Sequence, residues 1–146
     1  MGPGKMRKQV ALEPGDYRNF TGYVNWGGTE GYVEHAYFKL VDNEVFGSLV
    51  FWFSGFWVGG YWHDGTWFNG TWNGGVWMGG CWHKGTWRSG TWHGGDWRGG
   101  TWLDGTWTGG VWYRGVWEHG DWHGGLLMGG EIISMRKIQD KRIGDG

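Results

Sequence analysis

Three histidines carry the most regular chemistry in this chain. His63, His83 and His123 each follow a tryptophan directly and are separated by multiples of 20 residues. If the chain comes round every 20 residues, His63 and His83 become vertical neighbours, near enough to share a metal ion. Two imidazoles alone make a weak site, and Asp64 and Lys84 flank them with opposite influence. His93 and His119 fall on other faces. No metal and no cofactor are therefore expected. Cys81 is the single cysteine, which excludes an internal disulfide framework. It has no activating base beyond His83 and occupies a slot held elsewhere by Thr or Val, so it reads as a passive small residue. The carboxylates are scattered, and the glycines are periodic rather than gathered in a strand-to-helix phosphate loop. No catalytic constellation emerges, and an enzyme is not expected. On the 20-residue spacing, Thr66, Thr86 and Thr106 form one ladder and Thr71 and Thr91 the next. Such ladders stabilise sheets through methyl packing and hydroxyl bonding. A flat threonine array could also order ice, but the bulky neighbours Phe68 and Arg88 oppose a flat face.

These side chains hang on a repeat. A tryptophan stands at every fifth position: Trp52, Trp57, Trp62, Trp67, Trp72, Trp77, Trp82, Trp87, Trp92, Trp97, Trp102, Trp107, Trp112, Trp117 and Trp122. That is 15 of the 16 tryptophans, and from Trp57 on a glycine precedes each by two positions. A repeat this strict decides the fold class before any local propensity does. A straight strand would send successive tryptophans to opposite faces. A helix would rotate them by roughly 140° per step, and its interior glycines would each cost about 1 kcal/mol relative to alanine. The arrangement that treats all repeats alike turns the chain once per repeat, so that each repeat is one side of a polygonal coil. The expected fold is all-β, a β-solenoid whose coils stack by strand-like hydrogen bonds.

Charges suggest the number of sides. In a 20-residue coil Asp64 lies over Lys84 and Lys84 over Asp104, while Arg98 lies over Glu118, and no like charges stack. In a 15-residue coil these pairings vanish. The expectation is therefore a square of about four coils, roughly 19 Å tall at the usual strand spacing.

The unit Gly65-Thr66-Trp67-Phe68-Asn69 resembles that of the pentapeptide-repeat family, whose members form a right-handed, four-sided β-helix with a small and a large residue pointing inward. Gly stands here for the usual Ala, and Trp for Leu or Phe. The resemblance covers roughly residues 50 to 133. It implies an inward core of tryptophans, with glycine offsetting their volume. After Trp122 the register continues through Gly125 and Gly130, placing Leu127 and Ile132 in the tryptophan slot. Outward indoles would make an apolar surface larger than soluble monomers tolerate. Buried indole N–H groups need acceptors, so bonds to main-chain carbonyls are expected coil after coil. Some members of this family mimic duplex DNA with an acidic surface. The repeats here carry Lys84, Arg88, Arg98 and Arg114 against Asp64, Asp96, Asp104, Glu118 and Asp121, which is neither a polyanion nor a basic track.

The chain divides into an N-terminal segment and β cap (residues 1–50), a solenoid (51–133) and a C-terminal cap or tail (134–146). Tyr23–Trp26, Tyr32–Leu40 and Val45–Phe53 read as strands separated by turn residues, the last running into the first coil. The start, with Lys5, Arg7 and Lys8, reads as a solvated face, as do Arg136, Lys137, Lys141 and Arg142. The tail opens as a strand. Net charge is −1, and no signal peptide or membrane span is apparent. A soluble protein is expected, its location left open, with virion and cytoplasm both compatible. The expected function is a non-catalytic structural or protein-interaction module, such as a phage or virus particle component, with protein partners or self-association. Phe53, Phe68, Met78, Leu103 and Tyr113 form the candidate partner surface. The alternative is a carbohydrate-binding module using exposed aromatic rings.

Overall fold

A computed structural model describes residues 10–139; Lys5, Arg7, Lys8, Lys141 and Arg142 lie outside the described residues. The described chain is all β. Three long strands, β1 (Gly15–Trp26), β2 (Thr29–Asn43) and β3 (Gly47–Trp62), form an antiparallel meander. Fifteen two-residue strands follow, β4 (Thr66–Trp67) to β18 (Arg136–Lys137), one per repeat. Among the described residues no helix is long and apolar enough to cross a membrane.

The coil has three sides, not four. Every parallel pairing joins residues 15 apart: Trp52 to Trp67, Trp57 to Trp72, Trp62 to Trp77, and so on to Trp122 and Lys137. The first side carries Trp52, Trp67, Trp82, Trp97, Trp112 and Leu127; the second runs from Trp57 to Trp117 and Ile132; the third from Trp62 to Trp122 and Lys137. Six layers at about 4.8 Å each give a stack roughly 29 Å tall. Stacked charges do not fix the number of sides, because a handful of exposed ion pairs are each worth little. Two of the solenoid's pairs join residues 15 apart: Arg136 Nε donates to Asp121 Oδ1 at 3.0 Å, and His119 Nδ1 lies 3.6 Å from Asp104; a third, Arg98 with Asp96 at 3.6 Å, stays within one side. The threonine ladders regroup accordingly, as Thr71–Thr86–Thr101 and Thr91–Thr106.

Indole packing explains the triangle. Within a column the rings lie face to face, with centroids 4.7–5.0 Å apart and planes within 4–8°. Successive tryptophans meet edge to face at 5.5–6.0 Å. These offset and T-shaped geometries are the ones the aromatic quadrupole favours. Trp52 to Trp117 are at most 1% exposed and Trp122 is 7% exposed.

Backbone bonds hold successive turns together, two per side. The residue before each tryptophan donates to the glycine carbonyl one turn below, as Thr86 N–H does to Gly70 at 3.0 Å. The residue after it donates to the tryptophan carbonyl below, as Arg88 N–H does to Trp72 at 2.8 Å. The glycine two before each tryptophan forms the corner. At Gly80 φ is +112°, and an added Cβ would stand 2.1 Å from the Gly65 carbonyl oxygen. Its role is to turn left-handed and to let two backbones approach, more than to free volume for the indole. Where Asp or Asn precedes the corner, its side chain accepts the glycine N–H, as at Asp64, Asn69 and Asp104, over 2.8–2.9 Å.

Strand β2 wraps the first turn in antiparallel register, with Phe38 opposite Trp52 and Val33 opposite Trp57. Phe38 stacks on Trp52 at 5.8 Å and 7°, and Tyr17 stacks on Phe38 at 5.0 Å and 10°, so the cap continues the first column. Where the cap strands depart from regular pairing, Asn19 and His35 adopt φ of +52° and +49°, joined by a 3.3 Å contact between His35 Nδ1 and Asn19 Oδ1.

The repeat continues past residue 133, through β18. Leu127 and Ile132 do occupy the tryptophan slot, but they are 36% and 37% exposed, because no described layer lies beyond them.

Candidate interaction surfaces

The residue following each tryptophan points outward, so a 15-residue period sorts these residues into three vertical rows. On the first side the row reads Phe53, Phe68, His83, Arg98, Tyr113 and Met128. Its rings form a ladder. Phe53 and Phe68 stack at 5.3 Å within 1° of parallel, and Phe68 and His83 at 5.1 Å and 6°. The Arg98 guanidinium carbon lies 4.6 Å from the Tyr113 ring centroid. The ladder extends into the cap: Tyr37 packs on Phe53 at 4.7 Å, and Arg18 covers Tyr37 at 4.5 Å while donating to its hydroxyl at 3.1 Å. The stacked rings gain from their parallel contacts, and Tyr37 and Tyr113 from cation–π attraction to Arg18 and Arg98. The row therefore ties the cap to the solenoid.

The structure unites Phe53, Phe68 and Tyr113 and separates Met78 and Leu103 from them. Met78 lies on the third side, one layer above His63; Leu103 lies on the second. His63 and His83 stand on different sides and cannot share an ion, a direct result of the 15-residue turn. Among the described residues no group of three or more His, Cys, Asp or Glu side chains is placed to hold a metal. Cys81 lies beside the ladder, its Sγ 3.6 Å from His83 Nε2. Burial pushes its thiol pKa up, against the opposing pull of the Arg98 guanidinium.

The indole N–H groups divide in two. Trp62, Trp77, Trp82, Trp92 and Trp117 donate to the carbonyl 17 residues on, each at 3.1 Å. Trp52, Trp57, Trp67, Trp72, Trp87, Trp97, Trp102, Trp107 and Trp112 have no acceptor among the described residues. The expected repeating bond thus forms in only part of the stack.

A second surface is the C-terminal end, which includes Leu127 and Ile132, expected in the core. Leu126, Leu127, Met128, Ile132 and Ile133 are all exposed there, and Met135 packs against the core beside them. The last strands β16 (Leu126–Leu127), β17 (Glu131–Ile132) and β18 pair with the turn below and with no other described strand. The opposite end is covered by Val33, Ala36, Phe38 and Leu40, all at most 1% exposed. No family model, curated protein or solved structure matches this chain.

Proposed function

We propose that this chain is a non-catalytic structural and protein-interaction module, a rigid three-sided solenoid that offers its C-terminal end to a partner protein. The observation that carries this reading is the contrast between the ends. One is closed by a folded-over strand that continues the core columns. The other presents apolar side chains and a strand edge, the combination that native proteins cover or pair. We further read the repeat as a three-sided relative of the pentapeptide repeat, sharing its inward large residue and five-residue side.

The rings named for the carbohydrate alternative, Phe68 and Tyr113, are partly covered by their neighbours. Sugar rings stack on open aromatic faces, whereas Phe68 has Phe53 on one face and His83 on the other, and Tyr113 has Arg98 on one of its faces.

The test is cross-linking with mass spectrometry on the full chain in its native source, beside the variant Leu127→Glu/Ile132→Glu. Wild type is expected to cross-link to a protein neighbour through residues 126–137, and the variant to lose those links while keeping its circular dichroism. Recovery of neighbours through the ladder side alone, or links that survive in the folded variant, would overturn the assignment.

A further inference from the structure

We propose a second activity, independent of docking: the indole core conducts single oxidising equivalents, accepting a hole from a one-electron oxidant and carrying it along the solenoid axis to Trp122. Indole is among the most easily oxidised side chains, and parallel stacking spreads the resulting positive charge over adjoining rings. Here the contact is unbroken. Each column is stacked at 4.7–5.0 Å from its first tryptophan to its last, and successive tryptophans link the columns at 5.5–6.0 Å. A hole on any member has a neighbour to move to in every layer.

Mobility lasts only while the indole radical cation keeps its N–H proton. Nine of the core N–H groups have no acceptor among the described residues. Five others donate to backbone carbonyls, which are too weakly basic to remove the proton. With the rings from Trp52 to Trp117 at most 1% exposed, water does not reach them either. The hole therefore remains a mobile cation inside the stack instead of being trapped as a neutral radical.

The ends give the motion a destination. At the cap the first two columns terminate on Phe38 and Val33, neither readily oxidised; Trp26, 8% exposed in the cap, makes no ring-to-ring contact with the array among the described residues and so lies off the path. At the other end two columns terminate on Leu127 and Ile132, and the third on Trp122, the most exposed indole of the array at 7%. The electron count is simple. The oxidant gains one electron and the array loses one; at Trp122 the N–H proton passes to water, leaving a neutral indolyl radical.

Cys81, one residue before Trp82, provides the injection point. It would be labelled at alkaline pH with a ruthenium(II) polypyridyl group and flash-oxidised to ruthenium(III) by a cobalt(III) ammine acceptor. A nitroso spin trap in solution adds to the carbon-centred radical as a nitroxide, and tandem mass spectrometry locates the adduct. The expected result is an adduct at Trp122, two layers of indole beyond Trp82. The variant Trp97→Phe/Trp102→Phe/Trp107→Phe cuts all three columns with rings that keep the stack but resist oxidation, and is expected to lose that adduct. Absence of a Trp122 adduct in the wild type overturns the proposal whether or not the variant folds. So does an adduct that persists in the folded variant, since it would show oxidation from solution.

Discussion

The sharpest test of this fold is a pair of neighbouring glycines, Gly94 and Gly95. Gly95 is a corner, with φ of +106°; a Cβ there would stand 2.2 Å from the Gly80 carbonyl oxygen and 2.9 Å from its nitrogen. Gly94 lies outside the left-handed region, and its Cβ would meet nothing nearer than the Met78 carbonyl oxygen at 3.6 Å. Gly95→Ala therefore incurs both the left-handed penalty, roughly 1–2 kcal/mol, and the strain of forcing two backbones apart, about 1–3 kcal/mol. The expected loss is about 2–5 kcal/mol. Gly94→Ala meets neither cost and restricts the unfolded chain, so it is expected to be neutral or to stabilise by about 0.4–1 kcal/mol. Guanidinium unfolding followed by tryptophan fluorescence and far-UV dichroism compares the two. A third variant separates backbone from volume. If glycine served only to make room for indole, Gly95→Ala/Trp97→Leu would recover stability. Because the obstructing atoms belong to the Gly80 backbone, the double variant is expected to fall below either single one. Recovery in the double variant, or equal stability of the two alanine variants, would refute the account of the corner.

Three further outcomes follow from the same geometry. Trp87→Ala is expected to cost about 3–5 kcal/mol and Trp122→Ala less, because Trp122 has a stacking partner on one face only among the described residues; denaturation midpoints check the order. The Arg136 guanidinium holds the Asp121 carboxyl below its ordinary value. A depressed carboxylate favours the folded state above its unfolded pKa, and that contribution is lost as pH falls through the folded value. Arg136→Gln is accordingly expected to raise the Asp121 midpoint in a carboxyl NMR titration and to flatten the acid limb of stability. Finally, burial raises the Cys81 thiol pKa, so alkylation by iodoacetamide at neutral pH is expected to be slower than for a free cysteine and to accelerate with alkalinity; a rate matching the free thiol at neutral pH contradicts the assigned environment.

The solenoid was legible because two requirements recur without interruption: an apolar inward residue and a glycine at the corner. Neither depends on how many sides the coil has. The number of sides depends on how rings meet inside, an interaction between residues five and 15 apart that leaves no mark on a five-residue period. Surface charges could not supply it, since exposed pairs contribute too little to fix a register. A better signal was present at spacing 15: Phe53, Phe68, His83, Arg98 and Tyr113 are all ring or cation, whereas the spacing of 20 mixes Phe68 with Arg88 and Thr108. The wrong period placed His63 against His83 and scattered the ladder. It also hid that Leu127 and Ile132, apolar in a core slot, would be exposed by the end of the stack. The cap was legible as strands, but its role in extending the columns through Phe38 and Tyr17 required knowing how β2 wraps the first turn.

The asymmetry of the ends also limits how such a molecule assembles. A solenoid with two open ends has the same strand edge to offer above and below, and copies add head to tail without limit. Here β2 runs antiparallel over the first turn and β1 antiparallel over β2, so the layer that a second copy would need to match is not a parallel turn of the coil. An open C-terminal end cannot continue onto that cap as another turn of the same coil. It can meet a like end, giving a closed pair related by a two-fold axis, or a foreign strand edge. Both are finite. On the proposed reading, the number of repeats between the cap and the last described turn sets how far an attachment at that turn stands from the cap.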